Sequence, residues 1–153
     1  MLARRELSEA QVRQRLARRG HAGDAIDAAV AKLREERALD DARVAEAIAR
    51  TQTAVRGRGK LRVKRQIESA GISGAVARRA VDEVFSAIDA DALLDAALAK
   101  RLRGRSTIAD DREFQRLYRY LVGQGFEADR VLQLLHKYRP HRSATKPRKH
   151  ETE

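Results

Sequence analysis

The chain has 153 residues and a formal net charge of +11, with 36% charged residues, 4% aromatics, and no cysteine or tryptophan. That length suits one domain or one short array with a modest core of Ala, Leu, Val and Ile. Missing cysteine excludes disulfides, thiolate metal sites and cysteine nucleophiles, and no apolar run approaches the roughly 18 residues of a membrane span. The first six residues lack the apolar core of a secretion signal, so cytoplasm is the expected compartment. Residues 140–153 hold Arg142, Lys146, Arg148 and Lys149 against Glu151 and Glu153, a net +2, which leaves +9 for the body. A basic folded body calls for a polyanionic partner or an acidic protein surface.

The apolar pattern has helical period nearly throughout. Ser8 and Gln11 form a predicted capping box, Val12 and Leu16 follow on one face, and Gly20 ends the first helix. A second helix is predicted from about Asp24 to Arg37, with Ile26, Val30 and Leu33 inward. A third starts at Asp40 or Asp41 and runs to about Gln52, with Val44 and Ile48 inward. Gly57 and Gly59 then break the chain. Val63 and Ile67 lead to Gly71, and Ala77 and Val81 follow it. Another helix spans Asp91 to about Leu102, with Leu94 and Leu98 inward. After a second break from Gly104 to Asp110, Asp110 with Glu113 is predicted to cap a helix carrying Leu117 and Leu121 to Gly125. Val131 and Leu135 mark the last helix, which Pro140 ends. From His141 the chain is polar, basic and aperiodic, and disorder is expected there.

Three glycines organise this pattern. Gly20, Gly71 and Gly125 each have an apolar residue, counting Ala77, eight and four positions before them and six and ten after. A helix that ends and turns sharply needs a residue tolerant of positive φ. The expected fold is all-α: tandem three-helix repeats forming an elongated, curved array. The expected units are repeat 1 at 1–55, repeat 2 at 56–105, a truncated repeat 3 at 106–139, and a disordered basic tail at 140–153.

The segment 56–65 carries Arg56, Arg58, Lys60, Arg62, Lys64 and Arg65 and no acid. With Val63 and Ile67 inward, Arg62, Lys64 and Arg65 project to other faces. Cations at a helix start oppose the dipole, which suggests an anion seated there. A nucleotide phosphate loop is excluded, because Leu61 follows Lys60 where Ser or Thr is needed and no strand precedes. Arg15 and Arg19 in the first unit, Arg103 in the second, and Arg116 and Arg119 in the third extend the candidate binding set. Any single group reads most simply as a solvated helix face. Their distribution over all units predicts an extended, salt-sensitive footprint.

No catalytic constellation emerges, and no cofactor or metal site is expected. Asp91 and Asp95 are one turn apart, a spacing open to a metal-dependent nuclease, but Asp91 reads more simply as a helix cap or first-turn residue. The histidines His21, His136, His141 and His150 are scattered. Phe114, Tyr118, Tyr120, Phe126 and Tyr138 gather in the third unit. Tyr118 and Tyr120 point to different sides of a helix, so one of them is expected to be exposed, where it could stack on a base.

In combination these segments resemble the RecX family. Three stretches carry the likeness: Leu2-Ala3-Arg4-Arg5-Glu6-Leu7-Ser8 leading to Val12, Leu16, Gly20 and Leu39-Asp40-Asp41; Gly59-Lys60-Leu61-Arg62-Val63 leading to Ile67 and Gly71-Ile72; and Phe114 to Leu121 followed by Gly125-Phe126. Val44 departs from the pattern, in which an aromatic is commoner. A monomer without enzymatic activity is expected, and the resemblance implies that it binds the groove of the RecA filament on single-stranded DNA. It implies reduced filament growth, ATP hydrolysis, strand exchange and stimulated repressor cleavage, and a part in DNA repair and the SOS response. Direct binding to DNA by a sequence-nonspecific helical module is the alternative, and a nuclease at Asp91 and Asp95 a lesser one.

Overall fold

The computed structural model describes residues 6–140, so the tail expectation from His141 onward lies outside the described residues. Eight α-helices follow one another: α1 (Glu9–Arg18), α2 (Gly23–Glu35), α3 (Asp41–Arg50), α4 (Lys60–Ser69), α5 (Gly74–Ser86), α6 (Ala90–Leu102), α7 (Asp111–Gly123) and α8 (Ala128–Lys137). A π-turn, Thr51–Val55, continues α3. No strand occurs among the described residues, and the chain is all-α.

Local chemistry sets the helix ends. The Ser8 hydroxyl accepts the Gln11 N–H at 3.2 Å while the Gln11 side chain accepts the Ser8 N–H at 3.0 Å, the predicted reciprocal cap. Asp110 accepts the Glu113 N–H at 2.7 Å. At α6 the cap is Asp89, whose carboxylate takes the N–H groups of Asp91 and Ala92; Asp91 lies in the first turn. The second helix stops at Glu35, short of the predicted Arg37, because Arg37 adopts φ +55°.

Gly20, Gly71 and Gly125 form one kind of turn, with φ of +86°, +81° and +100°. In each, the glycine N–H bonds the carbonyl three residues back. At Gly20 and Gly125 the next N–H also reaches the carbonyl five back, His21 to Leu16 and Phe126 to Leu121. Of the apolar positions shared around these turns, all are buried except Val12 and Leu16, which are half-buried.

Packing divides the helices in a different phase from the sequence period. One core holds Ile26, Val30 and Leu39 with Val12 and Leu16, and so joins α1 to α2. The next gathers Val44, Ala45 and Ala49 of α3 with Val63 and Ile67 of α4 and Ala77, Ala80 and Val81 of α5. The third draws on α6, α7 and α8, with Leu98, Leu121, Val131 and Leu135 at its centre. Each linking helix, α3 and α6, packs on the pair that follows it. The described residues bury their apolar side chains in three small cores that follow one another along the chain, as in a helical array.

The cores meet through two similar joints. The N-terminus of α1 lies on the α4–α5 turn: buried Ser8 donates to the Ala70 carbonyl, and a Cβ placed on Gly71 would sit 2.4 Å from the Ala10 Cβ. The N-terminus of α4 lies on the α7–α8 turn: the Gly59 N–H donates to the Gln124 carbonyl at 2.8 Å and the Leu61 N–H to the Gly125 carbonyl at 3.1 Å. A Cβ on Gly59 would fall 2.5 Å from the Gly125 carbonyl carbon, so the two backbones touch.

Candidate nucleic-acid interface

Segment 56–65 is divided between two surroundings by the π-turn and the second joint. At the exit of the π-turn, the Arg58 N–H donates to the Gln52 carbonyl at 3.1 Å, and the Arg58 Nη1 donates to the Gln52 Oε1 at 2.7 Å. One turn into α4, Arg62 donates to the Gly123 carbonyl at 3.2 Å, at the end of α7. Beside it, the Arg101 guanidinium from α6 lies 3.6 Å from the centroid of the Tyr120 ring on α7.

Arg58 is the electrostatic centre of this region. Its pKa is pushed below the ordinary arginine value, first by burial and then by the charges of Arg62 and Arg56; only Tyr120 acts in the opposite sense. Among the described residues no carboxylate acts on it. Arginine keeps its proton regardless, so a half-buried cation stands beside two others with no counter-ion among the described residues. Arg56, Arg58, Arg62, Arg101 and Tyr120 thus form one patch built from the π-turn exit, α4, α6 and α7. Arg116 lies one turn before Tyr120 on the same face of α7, and Arg119 is its chain neighbour.

The other predicted contacts lie elsewhere. Lys60 pairs with Asp82 at 2.9 Å and Lys64 with Glu68 at 3.7 Å. Arg65 is exposed on α4, and Arg103 is exposed at the end of α6 with φ +50°. Arg15 and Arg19 are exposed at the end of α1, where positive charge complements the helix dipole.

Two expectations are corrected. At the start of α4 the Gly59 and Leu61 N–H groups donate to the carbonyls that close α7, so these two donors are not open to an external anion. The cations there complement that negative helix end. Neither Tyr118 nor Tyr120 is exposed; both are half-buried against the third core, and Tyr120 is covered by Arg101. Asp91 is engaged by Arg130, whose Nη1 reaches both carboxylate oxygens at 3.1 and 2.9 Å. Among the described residues, no group of three or more His, Cys, Asp or Glu gathers as a metal site.

Known proteins agree with this architecture. Residues 1–33 match the family model for RecX, first three-helix domain. The chain is 36% identical over 132 residues to regulatory protein RecX of Halorhodospira halophila, covering 86% of this chain and 79% of that one. With regulatory protein RecX of Chromohalobacter salexigens it shares 36% over 131 residues, covering 86% and 83%. The chain belongs to the RecX family. The crystal structure of RecX from Lactobacillus salivarius superposes with a TM-score of 0.70 at 22% identity, over 88% of this chain and 89% of that one. A crystal structure of a regulatory protein RecX gives 0.71 at 18%, over 88% and 66%; at such identities the likeness concerns the fold. The matched first domain ends within α2 and leaves α3 out, in line with the cores.

In this RecX family member, sequence reasoning named Tyr120 only as one of two tyrosines that could stack on a base, and it did not set Arg101 apart from the other basic residues of the second unit. Gln52 had no signal at all, because its role depends on a π-turn that periodicity does not reveal.

Proposed function

We propose that the chain binds the groove of the RecA filament on single-stranded DNA and lowers the recombinase, ATPase and coprotease activities of RecA. It does so in the cytoplasm by binding alone, with no chemistry of its own, within DNA repair and the SOS response. The observation that carries this reading is Arg58, half-buried beside Arg56 and Arg62 with no counter-ion among the described residues, next to a Tyr120 ring that Arg101 covers. Val55 and Leu61, 77% and 48% exposed, flank the same loop. Exposed aliphatics beside a basic patch suit a partner offering protein and polyanion together, which favours a nucleoprotein filament over bare DNA. The relatives' names, regulatory protein RecX, point the same way.

The test is titration into RecA hydrolysing ATP on single-stranded DNA. The unmodified chain is expected to inhibit. The Arg56→Glu/Arg58→Glu variant should need at least roughly tenfold more protein, about 1.4 kcal/mol of binding, with helicity unchanged by circular dichroism. Absence of inhibition at any stoichiometry overturns the regulatory role, and wild-type inhibition by the variant overturns the site. Tight DNA binding with no effect on RecA would favour the sequence-nonspecific DNA-binding module.

A further inference from the structure

The π-turn does more than lengthen α3. Within it, buried Thr53 donates its hydroxyl to the Ala49 carbonyl at 2.7 Å. Widened turns of this kind recur at functional sites. Here the widening lets one residue grip another six positions along. The Gln52 carbonyl takes the Arg58 N–H, and its side-chain oxygen takes the Arg58 Nη1. A neutral acceptor fixes a guanidinium without cancelling its charge, whereas a carboxylate at this place would neutralise it. Arg58 is therefore held rigid, half-buried and still fully cationic, with Arg56 and Arg62 close enough to repel it.

We infer that Gln52 is a positioning residue, holding Arg58 as the fixed donor of a phosphodiester site bounded by Arg56, Arg62 and the Arg101–Tyr120 pair. The inference rests on the reading that this patch meets a polyanion, and it names the ligand class as single-stranded nucleic acid. A lone carboxylate would leave most of these cations uncompensated. A phosphodiester chain supplies an anion at every step. The outer face of a guanidinium already stacked on a tyrosine is a platform for an unpaired base.

The test uses the full chain and a fluorescently labelled oligothymidylate, with anisotropy followed over a salt series. Gln52→Met keeps the size of the side chain and removes the acceptor. Gln52→Asn keeps the amide but is too short to reach. Both leave net charge unchanged. Each is expected to weaken binding several-fold and to reduce the slope of log affinity against log salt by up to about 0.7, as if one phosphate contact were lost. Arg58→Gln should do the same, and Gln52→Met/Arg58→Gln should be no weaker than Arg58→Gln alone. Helicity and Tm report whether each variant folds, and a purely structural role for Gln52 would lower Tm without moving the salt slope. Additive effects in the double variant, or unaltered slopes in both Gln52 variants, overturn the positioning role alone. Wild-type binding by Arg58→Gln overturns the patch itself, and no oligonucleotide binding by the unmodified chain overturns the ligand class.

Discussion

Ser8 and Glu113 show what buried polar side chains do in a core with few aromatics. Ser8 is fully buried and makes three bonds: its hydroxyl caps α1, its N–H donates to the Gln11 side chain, and its hydroxyl donates across to the Ala70 carbonyl. Ser8→Ala removes the cap and leaves the Ala70 carbonyl without that donor, so a loss of about 1–2 kcal/mol is expected by urea unfolding. Glu113 ties the long loop before α7 together, accepting from Arg105 and from the Ala109 N–H. Its pKa is lowered to about 2, chiefly by the Arg105 hydrogen bonds and then by the Ala109 N–H. A depressed carboxyl pKa contributes stability that is complete above the ordinary glutamate value near ~4.3 and is lost as pH falls toward ~2. Glu113→Gln should therefore destabilise the chain by about 1–3 kcal/mol at neutral pH and flatten its stability profile in that acid window, as thermal melts between those pH values would show. Melts of both proteins that fall in parallel through the window would rule out this role.

The glycine turns separate local from non-local information. Their offsets were legible in the sequence because each turn is closed by its own backbone and flanked by apolar residues whose spacing follows the helix. The capping residues Ser8 and Asp110 were legible for the same reason. The grouping of helices was not. Whether α3 packs on the pair before it or after it depends on which neighbour covers Val44, Ala45 and Ala49, and no local signal encodes that choice. Gly20 and Gly71 test the distinction. Both have positive φ, so alanine costs about 1–2 kcal/mol at either from backbone strain. At Gly20 nothing lies within 4 Å, whereas at Gly71 the new Cβ would meet the Ala10 Cβ at 2.4 Å. Gly71→Ala should thus lower Tm well beyond Gly20→Ala, by a further overpacking cost of about 1–3 kcal/mol. Equal shifts in calorimetry would mean that the first joint yields freely.

At the scale of the whole molecule, the basic patch straddles the second joint. Arg56, Arg58 and Arg62 come from the π-turn exit and α4, while Tyr120 packs on the third core and is covered by Arg101 of α6. Composition called for a polyanion or an acidic protein surface, but it could not say which cations share a surface, because that follows from how two cores are set against each other. The contact between them is small and made of backbone: a Cβ on Gly125, whose φ is +100°, would lie 2.4 Å from both the Arg62 Cβ and the Arg62 nitrogen. Backbone atoms of a capped helix cannot move aside as a side-chain tip can, so the joint must open. Gly125→Ala removes no charge, and among the proposed contacts its new Cβ meets only the backbone and Cβ of Arg62, not the guanidinium. It should nevertheless weaken oligonucleotide binding and inhibition of RecA several-fold, because the two halves of the patch lose their fixed spacing. Gly20→Ala, equally strained but far from any joint among the described residues, should leave both unchanged. A Gly125→Ala protein that melts earlier yet binds and inhibits normally would show that the cations act independently, each core gripping the polymer by itself.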